Sequence, residues 1–301
     1  MDLVTVPLPD LDRAEVVVPA PDSGPGNWAG AASAVLVDDE VYLAYRVRRP
    51  LTAGRGVSVV VARSRDGLRF ETVSEVWRDD FGAESFERPV VLRTPAGGWR
   101  LYVSCATPDS KHWWIEAIDA ERPDGFATGR RTVVLPGSDA VAVKDPVIVV
   151  DAAGDWHAWV CEHPLTDPGD EDRMSTAYFS SQGGLAWTRR ATVLRPRPGQ
   201  WDARGARVTD VLSLHPLVTL YDGRPRAADN WHETTGVARA LTAGDPGSAL
   251  EADAGEPLRS PCSDGACRYV TSVRMPDGTR RFYLEVARPD GAHDLVSTTG
   301  A

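Results

Sequence analysis

The chain has 301 residues, 42% hydrophobic and 25% charged, with 33 Lys+Arg against 43 Asp+Glu and a formal net charge of −10. This is ordinary globular usage, long enough to bury a core without disulfide or metal staples, and its acidic balance excludes the basic face that nucleic-acid binding needs. No apolar run approaches the roughly 20 residues of a membrane helix.

Along the chain the signals are those of strands: short β-branched and aromatic runs bounded by Gly, Pro and Asp, with no sustained helical period. AEVVVPA (14–20) comes first. SAVLVDDEVYLAYR (33–46) then gives a strand, a tight turn and an aromatic-bearing strand. The pattern returns in PVVLRTPAGGWRLYVSCA (89–106), PVIVVDAAGDWHAWVCEH (146–163), RVTDVLSLHPLVTLYDGR (207–224) and YVTSVRMPDGTRRFYLEVA (269–287). The first strands, starting near Ala31, Pro89, Pro146, Arg207 and Tyr269, are 57 to 62 residues apart, and one or two further strands follow each hairpin. Four-stranded units at that period are the signature of propeller blades. The expectation is an all-β, single-domain five-bladed β-propeller over 1–301, with four-stranded antiparallel blades. The blades fall at roughly 28–78, 87–136, 144–195, 205–250 and 267–301, the last completed by 14–20, which closes the ring.

In an antiparallel blade the loop before the first strand and the loop between strands two and three lie on one face. The middle loops are long, whereas the turns assigned to the other face (VDDE, PAGG, AAGD, PDG) are tight. Function is expected on the long-loop face. Lysine is nearly absent, yet both copies, Lys111 and Lys144, fall there, as do His112 and His163.

Aligned on proline, Glu87-Arg88-Pro89 matches Lys144-Asp145-Pro146, placing opposite charges at equivalent positions of neighbouring blades. Asp202, Arg204 and Arg207 surround the same position in the fourth blade, and Glu162, Arg173, Asp222, Arg224 and Glu233 come from middle loops. Trp28 and Trp113 offer flat faces to sugar C–H surfaces. Carboxylates in unlike environments divide acid and base roles, so Asp145 and Glu87 are read as essential carboxylates and Asp202 or Glu233 as proton donor. Arg88, Lys144, Arg204, Arg207, Lys111, His112, Trp113, Glu162, His163, Arg173, Asp222, Arg224 and Trp28 are read as binding groups. For any single acid the competing reading is a structural ion pair.

The five-unit pattern and KDPVIV (144–149) resemble the five-bladed propeller glycosidases of glycoside hydrolase families 43, 32 and 130. The run YDGRPRAADNWHETTG (221–236) is similar to a glycosidase-like family of actinobacteria. The family-43 resemblance implies an Asp base in the first blade, an Asp-Pro pKa modulator in the third and a Glu acid in the fourth. Asp145-Pro146 matches the second of these. The first blade reads Asn27-Trp28-Ala29-Gly30-Ala31-Ala32-Ser33, without Asp, and the fourth Trp201-Asp202-Ala203-Arg204, without Glu. Family 32 uses Arg-Asp-Pro and Glu-Cys, which Lys144-Asp145-Pro146 and Cys161-Glu162 echo.

The function expected is cleavage of a glycosidic bond in an axial pocket by paired carboxylates. A phosphate-dependent phosphorylase, or a propeller that binds carbohydrate without catalysis, are the alternatives. The partner expected is a small carbohydrate, with no nucleic acid, no membrane, no cofactor and no metal. The acids of LTDPGDEDR (165–173) lack calcium-loop spacing. MDLVTVPLPDLDRAE lacks the basic start and apolar core of a secretion signal. A cytoplasmic location with free thiols at Cys105, Cys161, Cys262 and Cys267 is therefore expected.

Overall fold

The structure, a computed structural model, describes residues 6–262 and 264–300. Its strands in chain order are β1 (Glu15–Val18), β2 (Trp28–Val37), β3 (Glu40–Arg48), β4 (Gly56–Ser64), β5 (Glu71–Trp77), β6 (Phe86–Arg93), β7 (Trp99–Ala106), β8 (Trp113–Ala120), β9 (Arg130–Leu135) and β10 (Val141–Val150). β11 (Trp156–Pro164), β12 (Ser175–Ser181), β13 (Thr188–Leu194), β14 (Gly205–Leu214), β15 (Leu217–Arg224), β16 (Thr234–Ala240), β17 (Leu250–Ala252), β18 (Cys267–Arg274), β19 (Arg280–Ala287) and β20 (His293–Thr299) follow. Only short 3-10 turns interrupt them.

The strands pair as antiparallel units of four: β2–β5, β6–β9, β10–β13, β14–β17, and β18–β20 with β1 added beside β20. A single parallel pairing, Trp28 with His293, joins the fifth unit to the first. The N-terminal segment thus supplies the outer strand of the unit made by the C-terminus.

Alternation explains the packing. Along β7, Leu101, Val103 and Cys105 enter a cluster with residues of the first unit, while Tyr102 enters a cluster with the third. A strand covered on both faces must be apolar at both parities, as WRLYVSCA is. One apolar cluster lies between each successive pair of units, and a fifth joins Leu43 and Val60 of the first unit to Tyr283 and Leu295 of the last. Among the described residues no helix is long and apolar enough to cross a membrane, and the four cysteines are free.

One local device recurs where the first strands begin. The β2–β3, β6–β7, β10–β11 and β18–β19 ladders each shift register there, at Gly30/Ser33, Glu87/Val90, Lys144/Val147 and Arg268/Thr271. Ala31, Asp145 and Tyr269 occupy the bulges with φ near +50°, a conformation that costs a non-glycine residue of order 1–2 kcal/mol. A bulge re-aims side chains and frees backbone N–H groups from the ladder. Other units' side chains take up the freed donors. Arg88 N–H donates to Asp145 (3.2 Å), Asp145 N–H to Ser104 (2.9 Å) and Tyr269 N–H to Asp222 (2.9 Å).

Candidate active site

The register places Gly30, Glu87, Lys144, Arg207 and Arg268 at equivalent heights on the five first strands, opposite Arg46, Ser104, Cys161, Asp222 and Glu285 on the second strands. Above them lies a cavity of about 180 Å³. Glu87, Lys111, Trp113, Lys144, His163, Arg207, Arg224 and Glu233 line it, so the sequence reading placed these eight residues at one site. Arg55, Glu171, Asp172, Met174, Asn230, Trp231, Arg268 and Tyr269 complete the wall.

The charges form one connected system. Glu87 pairs with Arg46, whose other nitrogen lies 3.0 Å from Glu285. Glu285 is 3.4 Å from Arg268 and 2.8 Å from His293, and Arg268 is 2.9 Å from Glu233. Glu233 accepts from Arg224 at 2.8 Å, and Arg224 also reaches Asp172 at 3.3 Å. Thus the second, first, fifth, fourth and third units each supply charge to a single alternating chain. Acids that the sequence could equally assign to ion pairing do pair, but with partners from other units as well as their own.

A second branch passes through Tyr269. Its hydroxyl accepts from Arg207 (2.9 Å) and lies 3.3 Å from Asp145 and 3.4 Å from Glu87. Arg207 also donates to Asp145 (2.9 Å) and Asp222 (2.7 Å). Burial favours the neutral form of each acid. Against it, Arg46, with Lys144 and Arg48 behind, holds Glu87 well below the usual carboxylate range. Arg268 and Arg224 likewise outweigh burial to hold Glu233 at about 2, and Arg268 and Arg46 do so for Glu285, also at about 2. Glu87 and Glu233, which line the cavity, are therefore ionised at neutral pH. His163 is pushed down to about 3 by burial and by Lys144. Its Nδ1 faces the Glu171 carbonyl at 2.7 Å, which can only accept, so the neutral ring carries its hydrogen there.

Other expected residues lie elsewhere. Asp145 is fully buried beneath the cavity, its oxygens taken by Arg207, Tyr269, the Arg88 amide and, at 3.7 Å, Lys144. Asp222 is sealed behind Arg207 and accepts from Thr235 (2.9 Å). The Arg88 side chain is buried without pairing to Asp145; two of its nitrogens have no hydrogen-bond partner, and of the carboxylates Asp210 acts on it most strongly. Trp28 backs the rim, stacked on His293 (4.3 Å) and under Arg48 (3.9 Å).

Asp202 lies outside the cavity, buried and held by Arg197 (2.8 Å) and Tyr221 (3.0 Å). It sits in the turn before β14, where Arg197 of the same segment holds it. Arg204 is spent on Asp172 (2.6 Å) and Asp170 (2.9 Å), and Arg173 sits exposed beside Asp170. Those pairings absorb two acids of the 165–173 loop. Glu162 faces outward into a bidentate pair with Arg189 (2.7 Å), because its strand neighbours Cys161 and His163 hold the inward parity. His112 bonds Thr107 (2.8 Å) within its own loop.

Sequence reasoning missed Arg268, Tyr269 and Glu285. Their signal was positional: CRYV begins the fifth repeat as VKDPV begins the third, but without a proline to align on. Ala31 occupies in the first unit the bulge that Asp145 occupies in the third, and Arg207 matches Lys144 in the fourth.

No family model matches the sequence, and no curated protein sequence matches it. Solved structures do. A thermostable family-43 glycoside hydrolase superposes with a TM-score of 0.69 at 15% identity, over 95% of this chain and 91% of that one. This chain shares its fold. An α-L-arabinofuranosidase from Lactobacillus brevis gives a TM-score of 0.68 at 13% identity over 90% of each chain. An endo-arabinase from Bacteroides thetaiotaomicron gives 0.65 at 12% identity over 95% and 98%. Its structural neighbours are thus family-43 and related glycoside hydrolases.

Proposed function

We propose that this chain is a glycoside-cleaving enzyme built as a single five-bladed propeller, with β1 closing the ring and a saccharide seated in the axial cavity. The propeller reading rests on five four-stranded units with an apolar cluster between each neighbouring pair, the last and first included. The observation that carries the function is the pair of ionised carboxylates, Glu87 and Glu233, in a cavity walled by Trp113 and Trp231, on a fold shared with an α-L-arabinofuranosidase and an endo-arabinase.

In this reading Glu87 is the ionised carboxylate that activates water or attacks the anomeric carbon, held ready by Arg46. Glu233 supplies the second carboxyl. With both guanidiniums on it, it holds no proton; a substrate oxygen that draws Arg224 or Arg268 away restores its proton affinity and makes it a donor. Asp145 does not touch substrate. It is a positioning residue that fixes Arg207 and Tyr269 at the cavity floor. The runs where the family-43 resemblance implies a base and an acid, 27–33 and 201–204, hold no Asp and no Glu respectively, so in this reading the carboxylates of this site come from other positions of the same scaffold.

The test is release of reducing ends or aryl alcohol from a panel of pentosides, hexosides and uronides. Glu87→Gln and Glu233→Gln should each lower turnover by ~100-fold or more with folding intact by circular dichroism. Turnover within a few-fold of the unmodified protein in both variants, or saccharide binding with no product from any substrate, would remove the assignment.

A further inference from the structure

Arginine supplies nearly all the positive charge of this chain; its two lysines, Lys111 and Lys144, both line the one axial cavity. An ammonium is a compact, mobile point charge, whereas a guanidinium is a planar fork suited to fixed carboxylate partners. The pairing pattern follows that division. Every arginine on the cavity wall is tied to a protein carboxylate: Arg207 to Asp145 and Asp222, Arg224 to Glu233, Arg268 to Glu233 and Glu285, and Arg55 to Glu84 at 3.6 Å. The lysines are not so engaged. Lys111 has no ion pair among the described residues. Lys144 is 3.7 Å from Asp145, whose oxygens already receive Arg207, the Arg88 amide and Tyr269, and its ammonium lies 4.9 Å from the Trp113 ring centroid.

The balance of charge points the same way. Six cationic side chains line the cavity against four carboxylates, in a protein of net charge −10. Low-dielectric walls focus such a local excess.

We propose that the ligand of this cavity carries an oxyanion, a carboxylate or phosphate group, received by Lys111 and Lys144 beside the Trp113 face. The inference rests on the saccharide reading above and names its class: an acidic sugar, or a sugar met by inorganic phosphate. The aromatic face takes the apolar side of the ring, and the two ammonium groups take the charge.

Isothermal titration distinguishes the sources. Galacturonate and glucuronate, galactose and glucose, a sugar phosphate, and inorganic phosphate alone are titrated into the protein, then into Lys111→Met and Lys144→Met. Anionic sugars should bind about tenfold or more tighter than their neutral counterparts, and each substitution should remove about tenfold of that preference and flatten its salt dependence. Tight binding of inorganic phosphate with phosphate-dependent product places the oxyanion in the co-substrate; preference for uronates without phosphate dependence places it on the sugar. Equal affinity for acidic and neutral sugars together with no affinity for phosphate overturns the proposal, as does a preference unchanged in both variants. Lys111 is exposed, so its variant reports even if Lys144→Met fails to fold. Cleavage of neutral glycosides without anion preference would sink this inference and leave the enzyme reading standing. Anion binding without cleavage would do the reverse.

Discussion

Two buried carboxylates of the fourth unit hold their protons oppositely. Glu233, at the cavity wall, has Arg224 at 2.8 Å and Arg268 at 2.9 Å and is held at about 2. Asp210, within β14, has no ion pair among the described residues. It accepts from the Ser272 hydroxyl, and burial pushes it up to about 6, with Arg88 offsetting this only in part. The cost of removing a charge from water is similar for both; contact with a guanidinium decides which way the proton goes. Glu233 keeps its charge because the fifth unit adds Arg268 to the fourth unit's own Arg224.

The largest test of that contrast removes a guanidinium. Arg268 serves Glu233 and Glu285 together. Arg268→Met should leave both acids under-compensated and cost about 3–5 kcal/mol in urea unfolding. A loss of less than about 1 kcal/mol would mean the network has no more weight than a surface pair.

The contrast also predicts a pH signature with two limbs. Asp210 has a folded value raised from 3.8 to about 6, so its contribution is full below the unfolded value and is lost as pH rises through 6. Glu233 and Glu285 have folded values depressed from 4.5 to about 2, so theirs is present above the unfolded value and lost as pH falls toward 2. Asp210→Asn should abolish a decline of roughly 3 kcal/mol between about pH 4 and 7 while leaving the acid limb unchanged. Glu233→Gln should shrink the acid limb alone. Urea midpoints across that range read both, and a decline that survives in Asp210→Asn would place the proton elsewhere.

What was legible in the sequence follows the same physics. The repeat period, the strand pairs and the convergence of Glu87, Lys144 and Arg207 could be read because alternating apolar runs and X-Pro starts are local signals. Partner choice could not. The proline alignment matched Glu87 with Lys144 and Arg88 with Asp145, but Glu87 pairs with Arg46 and the Arg88 side chain makes no ion pair with Asp145. Those choices depend on bulges that re-aim side chains, and on distances between units tens to hundreds of residues apart. Arg268 and Tyr269 escaped notice because the fifth repeat lacks the proline that marked the second and third. Asp202 was misleading because a carboxylate near a strand start looks the same in sequence whether it faces the axis or, as here, Arg197.

Gly30 offers the smallest and most local test. It stands where Glu87, Lys144, Arg207 and Arg268 stand in the other units, yet it contributes no side chain. A Cβ there would lie 2.1 Å from the Glu285 carboxylate, the oxygen that Arg46 holds at 3.0 Å. The first unit thus yields its place at the axis so that the fifth unit's acid can reach across and join the chain of charges. Gly30→Ala should displace Glu285, costing ~1–3 kcal/mol as an overpacked site does, and should loosen Arg46 from the pair that keeps Glu87 ionised. The activity pH profile carries the decisive reading: its acid limb should move upward in Gly30→Ala, since Glu87 then gains a proton more readily. An unmoved limb, with stability lost, would confine the role of Gly30 to packing and detach Glu285 from the tuning of Glu87.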